Sequence, residues 1–483
     1  RSLNFSRGCG VDVLNTTACD LSDRLDRKEI SAEELMRATL VQIDRINPDI
    51  NAIVALRDAD DLLAEARAAD AEISTAPRKS VLHGLPMAVK DTVEVQGIRS
   101  TTGSPLCADH VPQTDEVLAA RMRAGGAIFI GKTNVPEFGM GSHTFNPIYG
   151  ATRNPYAPDR SVGGSSGGAA AALATRMLAL ADGSDAMGSL RNPAAWANVY
   201  GFRPTWGRVP NEPAGDMYLN QLVTDGPMAR SPADLTALLD VIAGPDPRQP
   251  HGMAHTALGP QLEAPVRGRR IGWLGDWDGA FQVEPGILDI GRAALNVFVA
   301  QGCQVEEVPA PYSASALWDS WCALRGFARA GSMRALYEDP AKRALLKDET
   351  LWEIESGQSQ STADIYRASE IRSDWFRAAA ALFETYDALI MPSVQVWPFP
   401  IDWRYPQEIN GVRMDTYHRW MECVVPVSLI GLPSLNIPVG FGATELPMGM
   451  QMFGAFGDDL GVLQLGQAYH RATDWPNTQP PKM

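Results

Sequence analysis

Apolar positions recur at helical spacing near the start of the chain. Ser31-Ala-Glu-Glu34 has the form of a capping box, in which the serine hydroxyl accepts an early helix N–H and the glutamate reaches back. Met36, Leu40 and Ile43 follow at helical spacing, and Asn47-Pro48 predicts the end of that helix. A second, alanine-rich helix is predicted over Asp58–Ile73. From about residue 80 the pattern changes. Short apolar runs, Leu85–Val89 and Ala127–Ile130, alternate with helical stretches such as Val117–Ala124, and this alternation predicts an α/β sheet. A Pro-rich segment over residues 244–250 reads as a linker or a surface loop. The strand-like run Arg270–Leu274 resumes the pattern beyond it and favours a loop. Helical spacing covers residues 315–385, and strand-like runs return at Ala388–Met391 and Leu435–Val439. The organisation expected is one domain over 1–483, with N-terminal helices over 1–75, a core over 80–245 and a helical insertion over 315–385.

Composition narrows the classes. With 45% hydrophobic and 20% charged residues, the 483-residue chain has ample apolar material for a core. Its 43 glycines and 35 prolines imply many turns and argue against a coiled coil. A formal net charge of −15 repels phosphate backbones and anionic membranes, so no nucleic-acid or membrane partner is expected. No apolar run is long enough to span a bilayer, and no basic-then-apolar N-terminal segment resembles a signal peptide. Cysteines 9, 19, 107, 303, 322 and 423 show no CxxC spacing, so reduced thiols and a cytoplasmic location are expected. The seven histidines (83, 110, 143, 251, 255, 418, 470) form no HxxxH or other ligand spacing, so neither a metal nor a cofactor is expected.

The chemistry concentrates in Gly163-Gly-Ser-Ser-Gly-Gly168, the alanines 169–172, and Gly183-Ser-Asp-Ala-Met-Gly-Ser-Leu-Arg191. Small residues before a helix leave backbone N–H groups bare at its N-terminus, where a developing oxyanion can bind. A flexible Gly/Ser loop would account for the first run but not for the second. A phosphate-binding loop needs a lysine after the last glycine, and position 169 is Ala. Gly164-Ser-Ser166-Gly-Gly168 formally fits the GxSxG nucleophile elbow, which must follow a core strand. The residues before it, Asn154-Pro-Tyr-Ala-Pro-Asp-Arg-Ser161, are turn-like and predict no core strand.

Residues Gly163 to Pro204 resemble the amidase signature: GGSSGG, an Ala-rich helix, a Gly-rich turn ending in Ser-Leu-Arg, then Pro193-Ala194 and Gly201-Phe-Arg-Pro-Thr205. Gly84-Leu-Pro-Met-Ala-Val-Lys-Asp91, Gly131-Lys-Thr-Asn134, Glu137-Phe-Gly139, Gly226-Pro-Met-Ala-Arg230 and Gly431-Leu-Pro433 match as well, colinear over about residues 30–470. The resemblance implies a large mixed twisted sheet surrounded by helices. It implies a metal-independent hydrolase of amide-type C–N bonds with Ser189 as nucleophile, Ser165 as a bridging serine on a cis peptide and Lys90 as base. It also implies an oxyanion hole of the Ala186, Met187, Gly188 and Ser189 N–H groups, substrate binding at Gly139, and Asp185 with Arg191 bracing the turn. On its strand, Lys90 shares a face with Ala88 and is expected to point inward.

A serine hydroxyl is a weak nucleophile until a base takes its proton. A lysine at its ordinary pKa near 10.4 is only about 0.1% neutral at pH 7.5, so Lys90 must be depressed by burial to serve. Three departures from the family pattern stand at the turn: Ala186, Met187 and Asn192. Met cannot comfortably take φ > 0, so a shifted loop, or a soft apolar side chain at the site, is expected. Trp206, Met217, Tyr218, Trp318 and Trp321 are candidates for an apolar pocket wall, with ordinary core packing the alternative for each. Within the family the turn resembles that of bacterial urethanases and aryl-amidases, which implies small amide or carbamate substrates and a monomer or homodimer. The alternatives are a catalytically inactive binding protein on the same fold and a glutamine-hydrolysing amidotransferase subunit.

Overall fold

The computed structural model describes residues 12–212, 215–219 and 221–483; Cys9 lies outside them. Two sheets carry the chain. The smaller has three strands, β1 (Ile53–Val54), β2 (Pro86–Lys90) and β3 (Ile128–Thr133), in the order β1-β3-β2, with β2 and β3 parallel. The larger has eight: β4 (Leu180–Asp185), β5 (Tyr200–Arg203), β6 (Thr224–Ala229), β7 (Arg270–Trp273), β8 (Gln304–Glu307), β9 (Ala388–Pro392), β10 (Ser434–Phe441) and β11 (Pro447–Phe453). Their order is β8-β7-β9-β11-β10-β5-β6-β4, with β7 parallel to β8 and β9 and the other pairs antiparallel. Such a mixed sheet among helices is what the resemblance implies. Every residue of β9 and β11 is buried, and a strand covered on both faces reads as the continuous apolar run seen at 388–391.

The helices, in chain order, are α1 (Ala18–Asp26), α2 (Ala32–Ile50), α3 (Ala59–Thr75), α4 (Val117–Ala124), α5 (Gly167–Ala174), α6 (Arg191–Trp196), α7 (Pro232–Ile242), α8 (Ile287–Ala300) and α9 (Ala314–Ser332). They continue as α10 (Arg334–Glu338), α11 (Pro340–Arg343), α12 (Asp348–Gln358), α13 (Thr362–Leu382), α14 (Val425–Ile430) and α15 (Asp459–Thr473). The Ser31 capping box forms, with both reciprocal bonds present. Helix α2 nevertheless runs through Pro48 to Ile50 and ends on Asn51 in the left-handed region. A proline in a last turn forfeits one N–H, which is too little to stop a helix whose apolar face continues to a buried Ile50. Ala157–Ser161, expected to be turn-like, pairs with Arg153–Asn154 in a two-stranded hairpin outside both sheets.

Helix α5 lies between the two sheets, touching β1, β2 and β3 on one side and β4 and β6 on the other. Its sequence, Gly-Gly-Ala-Ala-Ala-Ala-Leu-Ala, is buried throughout. Small side chains let backbones approach closely here. A β-carbon at Gly168 would stand 2.3 Å from the Asn134 nitrogen. The run of small residues is therefore a packing requirement, and it brings the end of β2 against the end of β4.

Candidate active site

Strand β2 delivers Lys90 to this junction fully buried, as its shared face with Ala88 predicts. Its ammonium donates to three hydroxyls, Ser165 Oγ, Ser166 Oγ and Ser184 Oγ, each at 2.9 Å, and to the Ser184 carbonyl at 3.4 Å. Burial pulls the Lys90 pKa from 10.5 down to about 8, against an opposing pull from Asp225, Asp182 and Asp185. The backbone N–H of Lys90 donates to both oxygens of Asp182, at 3.1 and 3.2 Å, and so ties β2 to β4. Burial raises the Asp182 carboxyl to about 6.

Ser165 follows a cis peptide bond from Gly164. The Ser142 hydroxyl donates to the Gly164 carbonyl at 2.6 Å, and the Ser166 N–H donates to the Ser189 carbonyl at 3.3 Å. The second contact lays the first glycine loop against the second.

The second loop is wound around Asp185 at the end of β4. Its carboxylate accepts from the N–H of Gly188 at 2.8 Å and of Leu190 at 3.1 Å. It also accepts from Arg191 Nε at 3.0 Å and Nη2 at 2.9 Å, and from Arg203 at 3.3 Å. All three charged side chains are fully buried. Burial would raise the Asp185 pKa, but Arg191 and Arg203 override it and hold the carboxyl far below its usual range. Burial lowers the Arg203 pKa to about 10. Gly188 sits at φ +81, a conformation that favours glycine.

The Gly188 N–H, one of the four expected oxyanion donors, is occupied by Asp185. The N–H groups of Ala186, Met187 and Ser189 donate to no protein group among the described residues. Met187 has no positive φ and is buried with the core. Ser189 is 8% exposed, and its hydroxyl has no hydrogen-bond partner among the described residues. Asn192 donates to Ser142 Oγ at 3.0 Å, while its Oδ1 is buried without a partner among the described residues.

Gly139 closes a short turn, Glu137–Gly139, at φ +65. A β-carbon there would lie 3.5 Å from Ser165 Oγ, so the expected substrate-binding position faces the bridging serine. Trp206 and Tyr218 meet at His251, with Tyr218 61% exposed. Trp318 and Trp321 are buried on α9. Among the described residues no group of three or more His, Cys, Asp or Glu could hold a metal, and the five described cysteines are free thiols.

Sequence reasoning missed Ser166, Ser184, Asp182 and Arg203 as members of this cluster. A signal existed for two of them. Asp182 and Ser184 are two apart on β4 and so share the face turned to Lys90.

Comparison with known proteins returns one family, Amidase, over residues 34–463. The chain is 35% identical to a glutamyl-tRNA(Gln) amidotransferase subunit of Thermus thermophilus, covering 94% of this chain and 97% of that one. It is 29% identical to an acylamidase of Rhodococcus erythropolis, over 96% and 97% of the two. A solved bacterial aryl acylamidase of the amidase-signature enzymes superposes with a TM-score of 0.89 at 29% identity, over 97% of this chain and all of that one.

Proposed function

This chain belongs to the amidase family, and from that premise we propose that it is a metal-independent serine hydrolase of small amides and aryl carbamates, with Ser189, Ser165 and Lys90 as its triad. The observation that carries the reading is the buried Lys90 ammonium ringed by hydroxyls beside a turn with three uncommitted N–H groups.

With a pKa of about 8, roughly a quarter of Lys90 is neutral at pH 7.5, some two orders of magnitude more than for an ordinary lysine. Neutral Lys90 takes the Ser165 proton as Ser165 takes that of Ser189, and the Ser189 oxygen adds to the substrate carbonyl. The oxyanion forms against the Ala186, Met187 and Ser189 N–H groups, which need no reorganisation because Asp185 has already set the turn. The relay then returns the proton to the departing amine through Ser165. Water attacks the acyl-Ser189 ester by the same route and releases the acid. A carbamate passes through the same oxyanion. Its amine leaves first, and water then releases an alkyl hydrogen carbonate from the Ser189 carbonate ester; loss of carbon dioxide from that product makes the step irreversible.

A second reading, that of a glutamine-hydrolysing component of an amidotransferase, is favoured by the 35% identity to the Thermus protein. One assay separates the two. The purified chain alone is given an anilide, an N-aryl carbamate of the same aniline, and glutamine. Aniline release from both aryl substrates supports the proposal. Glutamine turnover alone, or turnover that needs added subunits, supports the second reading.

A further inference from the structure

Beyond the end of β2 a cavity of about 290 Å³ opens to the surface, lined among others by Thr92, Val93, Glu94, Thr102, Leu106 and His110. It stands next to the proposed relay. Thr92 Cγ2 and Ser165 Oγ each lie 3.5 Å from the point where a β-carbon on Gly139 would be, which places them no more than about 7 Å apart.

The cavity offers uncommitted acceptors. Glu94 Oε1 takes a hydrogen bond from His110 Nε2 at 3.0 Å, and its Oε2 is free among the described residues. The Thr92 hydroxyl has no partner among the described residues, and the Thr102 hydroxyl has spent its proton on the Thr101 carbonyl at 2.7 Å. The nearby cations have protein partners. The Lys132 ammonium is capped by the Val93 carbonyl and, at 3.1 Å, by Ser100 Oγ. The Arg99 guanidinium donates to the Ala108 carbonyl and lies over the Tyr149 ring. A cavity with a free carboxylate oxygen, hydroxyl lone pairs and, among the described residues lining it, no lysine or arginine selects a cationic donor, and Val93 and Leu106 supply an apolar wall for a short alkyl stem.

Resting on the hydrolase reading above, in which Ser165 protonates the departing amine, we propose that this cavity receives the amine half of the substrate. The ligand class is an amide of a short aliphatic diamine, with its distal ammonium paired to Glu94.

The test uses N-(4-aminobutyl)benzamide and its uncharged analogue N-pentylbenzamide, with benzanilide as reference, on the wild-type chain and Glu94→Gln. Glu94 is half exposed and lies outside the triad, and benzanilide, which carries no ammonium, is the reference to which each enzyme's alkyl-amide rates are normalised. The expected result is a wild-type preference in kcat/KM for the aminobutyl amide of about fivefold at low salt, the range of a half-exposed ion pair. It shrinks in about 0.5 M sodium chloride and disappears in Glu94→Gln. No preference in the wild type, or a preference that survives the substitution, overturns the proposal. If benzanilide is cleaved and neither alkyl amide is, the compartment is wrong and the hydrolase reading stands. If none of the three is cleaved, both fall.

Discussion

The lysine pKa is where the proposed mechanism meets a number. Lys90 must be neutral to accept a proton, and its fall from 10.5 to about 8 corresponds to about 3 kcal/mol against the charged form. Since kcat/KM reports the free enzyme, activity should rise with pH as Lys90 loses its proton. About a tenth of the plateau is expected at pH 7, half at pH 8 and about nine-tenths at pH 9. Asp225 is buried near Lys90 and favours the ammonium, so Asp225→Asn should move the whole limb to lower pH. Initial rates on one anilide across pH 6–10 in constant ionic strength, with melts at each pH, give the curve. A flat profile from pH 6.5 to 9 would refute Lys90 as the base, as would a limb that still climbs tenfold per pH unit above 9.5. An Asp225→Asn limb displaced upward would refute the electrostatic argument on its own.

Other outcomes are expected of the same site. Ser189→Ala, Ser165→Ala and Lys90→Ala should each cut kcat about a thousandfold or more with circular-dichroism melts close to wild type; a Ser189→Ala enzyme keeping more than about a tenth of its turnover removes Ser189 from the role. Asp185→Asn leaves two buried guanidinium groups short of a counter-charge, at a cost of about 3–5 kcal/mol, read as a lowered urea midpoint. Chelators should leave rates untouched while a serine-directed phosphonate inactivates; loss in EDTA that zinc restores would overturn the metal-free route. Aniline release from an N-aryl carbamate should exceed the Ser189→Ala background, and Met187→Gly should lower it. A rate indistinguishable from that background leaves a plain amidase.

What the sequence made legible was local or carried by the resemblance. The Ser31 box and the buried run 85–89 could be read because each depends on neighbours a few positions away. The inward aim of Lys90 followed from strand alternation alone. The rest depends on contacts between distant segments. Asp182 meets the Lys90 N–H across 92 positions, and Arg203 reaches Asp185 from a different strand. The separate three-stranded sheet was not legible because β1 has only two residues, too few for any periodicity. Pro48 misled because its cost was weighed without the apolar face that pulls the helix on to Ile50.

Lys90 enters from one sheet and Ser184 and Ser189 from the end of the other, with helix α5 and the Asp182 carboxylate as their shared footing. Neither sheet alone holds the parts of a nucleophile. While the chain is being made, or after one layer has come loose, Ser189 is an ordinary alcohol and Lys90 an ordinary solvated cation, harmless to the amide bonds around them. On the proposed triad, reactivity arises only once the two sheets dock, and that docking closes a long loop of chain. Catalytic competence is in this sense a quality-control mark, carried only by molecules whose assembly is complete.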